Sequence, residues 1–435
     1  MPDVTIGLDK WLEGEKTLPS IITKIRSLDA DTTGPRLRTV IIPAGRGAGL
    51  SVDLAEGRYL IEASLPNGDV AATSVTVKPT NNEPVFLRAT DSVHEWLSWQ
   101  DLAGHAPAGR TSSGDDMYKD LVPGAQPQFA PPVATSTPTP IEVVTTAGPP
   151  GALLKALPAV WKGEPLKALA LAPATPAPPQ WANFDPALGV TAYLFGKGPW
   201  HQAERYYALV RTPPAGPPLL AVLPLPWFQT DHSGDATIDV LVDESDASAT
   251  SDPDLRDQDW PLGLSVVVRD NLMASVFGYL TSGDLPAAAQ VAETAVDRLE
   301  EKLVNAIAAA GAAYILVRSA TGSRKRPIWV PWLKNLRAWF TWLPDGAILD
   351  GWAHLNGIGR EPDVNAARTA FVDAVDRGLP FYTAGVRLLF EGMTRVAASS
   401  PPDKKMDGFA AAYEIARRLA LRIDVRQTFT VVRME

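Results

Sequence analysis

The chain has no cysteine among its 435 residues. That excludes disulfides, thiolate nucleophiles and Cys-ligated zinc, and it fits a cytoplasmic protein. No apolar run is long enough to span a bilayer. The opening residues 1–16 lack the basic start and apolar segment of a secretory signal. Positive charge is also short: 40 Lys and Arg stand against 49 Asp and Glu, for a net charge of −9. Broad electrostatic binding to nucleic acid or to an anionic membrane is therefore unfavourable, and neither partner is expected.

Chemical signatures are missing as well. No G-x-S-x-G elbow occurs, so a serine nucleophile of that type is not indicated. Gly45-Arg46-Gly47-Ala48-Gly49 has the glycine spacing of a phosphate loop. It is followed by Leu50-Ser51-Val52-Asp53-Leu54, which reads as a strand where a dinucleotide fingerprint needs a helix. His94-Glu95 lacks the second histidine of a zinc-protease helix. The acidic run from Asp243 to Asp259 lacks the central glycine and closing glutamate of an EF-hand. The polar residues nearest to a catalytic set are His201, Asp231 and His232, which a hydrolase or a metal site would have to bring into one pocket. Without a third ligand at fixed spacing, loop histidines are the simpler reading. No cofactor, metal or catalytic residue is assigned, and a non-enzymatic protein is expected.

What is present is patterning. The length suits several domains, and the 40 prolines and 33 glycines mark many turns. Residues 1–90 alternate like antiparallel strands, most clearly Arg58–Ser64 and Ala71–Lys78, joined through the turn-forming Asn67-Gly68. Leu54, Gly57, Tyr59, Gly68, Val75 and Val77 together resemble the entry of prealbumin-like and PEGA-like β-sandwiches. The resemblance implies a β-sandwich used for docking or spacing, with no chemistry of its own.

Residues 91–157 are polar and proline-rich and read as a linker with one short ordered segment. Within it Gly109-Arg110-Thr111-Ser112-Ser113 is a candidate protease-sensitive loop with Arg110 as the cleavage point. Residues 158–262 carry strand patterns at Val190–Phe195, Arg205–Arg211, Leu219–Leu225 and Thr237–Val242, so a second mostly-β domain is expected.

From residue 263 to 435 the pattern becomes helical, after a short strand at Leu264–Val268. Gly283-Asp284 ends one helix and caps another, whose apolar stripe runs Ala292, Val296, Leu299, Leu303, Ile307 and Ala310. Trp332, Leu336, Trp339 and Leu343 predict a shorter helix, Leu343-Pro344-Asp345-Gly346 a turn, and Val364–Val375 a helix ending at Gly378. Tyr382–Val396 and Phe409–Leu421 predict two more, the last capped by Asp407. A period-two tail, Ile423–Val431, reads as a strand seeking Leu264–Val268, Tyr314–Val317 or another protein. The fold expected is thus β plus α: a β-sandwich, a second mostly-β domain, and a helical bundle or short solenoid closed by a strand.

Trp329, Trp332, Trp339 and Trp342, beside Arg324 and Arg326, offer either core mass or a partner-binding face, since tryptophan and arginine mark interface hot spots. Gly283-Asp284-Leu285, Trp342-Leu343-Pro344-Asp345-Gly346 and Arg377-Gly378-Leu379-Pro380 resemble uncharacterised bacterial proteins associated with caspase-like (CHAT-type) peptidases. That resemblance implies an adaptor of a defence or signalling system, or a protein that such a peptidase cuts.

Overall fold

In the computed structural model the described residues are 2–8, 21–29, 37–42, 49–64, 70–80, 84–87, 141–146, 151–174, 181–185, 190–195, 200, 204–211, 218–227, 238–243, 263–268, 273, 303, 305–320, 327–399, 407–425 and 427–434. The chain divides into two compact units, Met1–Ala130 with Arg269–Val296, and Pro131–Val268 with Asp297–Glu435.

Among the described residues the first unit holds seven strands: β1 (Asp3–Leu8), β2 (Ile21–Ser27), β3 (Leu37–Ile42), β4 (Leu50–Asp53), β5 (Gly57–Ser64), β6 (Val70–Val77) and β7 (Val85–Leu87). They form a sheet ordered β4-β1-β7 and a second ordered β3-β2-β5-β6. Period-two alternation sends Tyr59, Ile61 and Ala63 of β5 inward, where they share one core with Val4 and Ile6 of β1 and Leu87 of β7. A single core fed by both sheets makes this a β-sandwich. β5 and β6 pair antiparallel, with Tyr59 opposite Val75 and Gly57 opposite Val77. Gly57 sits at φ 151°, a backbone that favours glycine. Just after it the Tyr59 hydroxyl donates back to the Ala55 carbonyl at 3.0 Å, pinning the entry to β5.

The second unit begins inside the stretch read as linker. Ile141–Thr146 is β8, Ala152–Val160 is helix α1, and Leu171–Pro173 is β9. β10 (Trp181–Asp185), β11 (Val190–Phe195), β14 (Ile238–Asp243) and β15 (Gly263–Val268) form one antiparallel sheet. β12 (Tyr206–Val210) and β13 (Leu219–Leu223) lie in another, ordered β16-β13-β12-β8-β9, where β16 is Val431–Arg433. Every residue of β12 and β13 is buried, so both faces of this sheet are covered.

The C-terminal strand differs from its expectation in length and in partner. Only Val431–Arg433 is regular strand, and it pairs with β13 at Leu219–Ala221. The earlier part of the tail folds back on the strand: Ile423 bridges Val432, and Asp424 N donates to Val431 O at 3.0 Å. A segment that pairs with its own end cannot stay one extended strand, and Val425 is exposed as a result.

Six helices follow among the described residues: α2 (Ala306–Ser319), α3 (Val330–Trp339), α4 (Pro344–Leu355), α5 (Val364–Arg377), α6 (Thr383–Ser399) and α7 (Asp407–Ala420). Most of the helix expected from Asp284 lies outside the described residues. Its stripe breaks at Leu303, which is exposed, because α2 starts afresh with Asn305 accepting from Ala308 N at 2.8 Å. Tyr314–Val317, offered as a strand, is the buried second half of α2; the alanine-rich lead-in propagates helix through it. Asp363 caps α5 by accepting from Ala366 N at 2.9 Å, and Gly378 ends it at φ 113°. The packing is close. A Cβ on Gly392 of α6 would stand 2.3 Å from the Phe371 ring of α5, and one on Gly351 of α4 would stand 2.8 Å from it. Among the described residues no helix is long and apolar enough to cross a membrane.

Candidate interaction site

Helix α3 carries the tryptophans singled out above, and the structure divides them. Trp332 faces inward with Val330, Leu333 and Leu336. Trp329 and Trp342 are half-buried, with Trp342 packed edge-on against Phe340 and Phe381. Trp339 does not continue the buried stripe: it is 54% exposed. The helix stops there, and Phe340, the next residue, takes the inward place. At the other end Ile328 is 83% exposed. Arg324, Arg326, Arg110, His201, Asp231 and His232 lie outside the described residues. Among the described residues no group of three His, Asp or Glu is placed to hold a metal ion.

The frame beneath α3 is ionic. Arg337 donates to Asp350 of α4 at 2.9 Å and to Asp373 of α5 at 3.0 Å. Arg377 grips the same Asp373 through Nε and Nη2 at 3.0 and 2.9 Å. Its remaining guanidinium nitrogen donates to the carbonyls of Arg337 and Phe340 at 2.9 and 3.2 Å. Those carbonyls belong to the end of α3, so Arg377 serves as its C-terminal cap from another helix. Asp350 also takes Arg360 at 3.3 Å. Arg360 donates in turn to His354 Nε2 at 2.6 Å, which requires a neutral imidazole there. Burial is the main reason His354 is held below its ordinary pKa, in spite of the pull of Asp350.

A second polar centre lies at the start of α4. Asp345 is fully buried and accepts from the Tyr314 hydroxyl at 2.7 Å, Phe381 N at 2.9 Å and Tyr382 N at 3.3 Å. Burial pushes its carboxyl above the usual range; those hydrogen bonds and the nearby Arg205 pull the other way and lose. The Tyr314 hydroxyl is pushed well up by burial and by the adjacent carboxylate. Gly385 closes the space, since a Cβ there would meet Tyr314 Oη at 2.4 Å and Asp345 Oδ1 at 3.0 Å. Arg205, just before β12, donates to the Trp342 carbonyl at 3.3 Å and to the Leu379 carbonyl, with its guanidinium 4.0 Å over the Phe381 ring. Through it the sheet is tied to both flanks of the Asp345 centre.

Sequence reasoning missed Asp345 and Arg205. Leu343-Pro344-Asp345-Gly346 reads as a turn, yet proline at the first helical position with an acid in the first turn is also how helices begin. Nothing local marks Arg205 apart from a charged residue beside a run of buried ones.

Residues 275–431 match the family model described as Y4kD C-terminal domain, a stretch that takes in α2 to α7 and reaches the first residue of β16. No curated protein and no solved structure matches the chain.

Proposed function

We propose that this chain is a non-enzymatic interaction protein that docks a protein partner on the exposed rim of α3. The observation that carries the reading is the Trp339 indole, more than half exposed on a helix held by ion pairs from α4 and α5. Large aromatic side chains on a rigid support bind at low conformational cost, and tryptophan dominates interface hot spots. Ile328 extends the apolar rim, and Arg324 and Arg326 adjoin it in sequence. The partner class we favour is a caspase-like peptidase, with the chain acting as its adaptor.

The test is affinity capture from the native host with the wild-type chain and with a Trp339→Ala, Ile328→Ser double variant. A stoichiometric partner held by the wild type should bind the variant at least tenfold more weakly, as expected for the loss of a hot spot worth about 2 kcal/mol. Equal binding by both proteins, or no stoichiometric partner, removes the proposal.

A further inference from the structure

Residues 356–363 join α4 to α5 through a turn with two left-handed glycines, Gly357 at φ 63° and Gly359 at φ 66°. Backbone bonds hold it at two points, Ile358 N to Ala353 O and Asp363 N to His354 O, both at 2.9 Å. The Arg360 side chain ties it back to α4. It donates to His354 Nε2 at 2.6 Å and to Asp350 Oδ1 at 3.3 Å.

The contact with His354 works in one protonation state only. An arginine nitrogen donates and cannot accept, so Nε2 offers its lone pair and the ring proton sits on Nδ1. Nδ1 is buried, with no acceptor among the described residues. The His354 side chain keeps 19% of its surface exposed, a route for protons from solvent. Once Nε2 carries a proton, two cationic donors face each other and the hydrogen bond is lost. The imidazolium then has Asp350 Oδ2 at 3.7 Å, the oxygen that already takes Arg337.

One buried carboxylate thereby meets three cations: Arg337 from α3, Arg360 from the turn and the imidazolium of α4 itself. Asp363, the other acid that acts on the ring, is engaged at the start of α5, where it accepts from Ala366 N at 2.9 Å. Arg360 holds Asp350 at 3.3 Å against 2.9 Å for Arg337, so Arg360 is the cation displaced. Burial first holds the imidazole below its ordinary 6.5; Arg360 and Arg337 add to this, and Asp350 and Asp363 oppose it.

We propose that His354 and Arg360 form an acid-released latch: a neutral imidazole holds the 356–363 turn against α4, and protonation at Nε2 lets it go. The folded chain binds this proton less readily than the unfolded one. Stability therefore falls as pH drops from 6.5 through the lowered pKa and levels off below it.

The full chain is followed by proton NMR of its five histidines and by amide hydrogen exchange, between about pH 8 and pH 5, where histidine changes charge. The His354 resonance, the one missing from His354→Gln, should titrate below 6.5. Across that titration the protection of the Ile358 and Asp363 amides should fall about tenfold, while the amides of α6 keep theirs. In His354→Gln a neutral acceptor oxygen replaces Nε2, so the turn should stay closed at every pH. Arg360→Gln cuts the latch itself. Its turn should be as open at neutral pH as the wild type is in acid, and His354 should titrate higher because a neighbouring cation is gone. Either variant keeps the test readable if the other does not fold. Turn protection unchanged across the His354 titration, a wild-type pH response in His354→Gln, or a His354 that stays neutral until the chain unfolds would overturn the latch.

Discussion

Replacing Asp345 by alanine removes the acceptor for three buried donors at once: the Tyr314 hydroxyl and the amides of Phe381 and Tyr382. None can turn to water, because Asp345, Tyr314, Phe381 and Tyr382 are all fully buried. Each orphaned donor costs about 1–3 kcal/mol. Against that sum stands the relief of the carboxylate's own burial, the penalty that raises its pKa. The net expectation is a loss of about 3–5 kcal/mol, the scale on which partnerless buried polar groups act. Urea unfolding read by intrinsic fluorescence is the assay, since most of the 13 tryptophans lie in the second unit. With slopes of about 2–3 kcal/mol per molar urea, the midpoint should fall by roughly 1–2 M. Asp345→Asn keeps the shape and one acceptor oxygen but turns an NH2 towards donors, so it should fall between the two. A loss for Asp345→Ala within about 0.5 kcal/mol of zero, the range of ordinary surface changes, would refute the idea that this carboxylate organises the junction.

The same residue gives a pH dependence. Its folded pKa is raised above 3.8, so the native state binds the proton more readily than the unfolded chain. The stability of the wild type relative to Asp345→Asn should therefore improve as pH falls from neutral through the raised pKa, and level off below 3.8; urea midpoints at a series of pH values check the slope. Gly392→Ala should cost about 1–3 kcal/mol by overpacking against Phe371, and Phe371→Leu should recover part of that loss in the double variant, a non-additivity that equilibrium unfolding measures directly. Arg337→Ala should cost about 1–3 kcal/mol, discounted because the pair is partly exposed, and should red-shift the emission of Trp339 as the end of α3 loosens. In the first unit, Tyr59→Phe deletes the hydroxyl bond to Ala55 and should lower stability by about 1 kcal/mol, seen by thermal unfolding of the chain.

How much of this could be read from residues alone follows from the range of the interactions involved. Val190–Phe195 alternates over a full strand, and β11 has those bounds. Asp363 and Gly378 are a cap and a stop that act within one turn, and α5 lies between them. The helix α1 was hidden by its setting, with Pro158 inside it and prolines and glycines around it. It forms because Leu153, Leu154 and Leu157 are fully buried and because Gly151 allows its start to press on the Asp376 carbonyl of α5. The partner of β16 lies at Leu219–Ala221, nearly half the chain away and beyond the reach of any local signal. Likewise the exposure of Trp339 turns on where α3 stops, which its apolar spacing with Trp332 and Leu336 does not tell.

The polar centres share one cause. Helix α4 is buried at every position except His354, so the two acids that it carries cannot be left to water. Asp345, at its start, takes donors from α2 and from the entry to α6; Asp350, one and a half turns on, takes Arg337 and Arg360. Each acid must recruit partners from neighbouring helices, and each recruitment fixes one helix against another. Asp350 ties α4 to Arg337 of α3, Gly346 lets the two helices approach closely at Leu336, and Arg377 holds the end of α3 from α5, so the Trp339 rim stands on a support fixed from several sides.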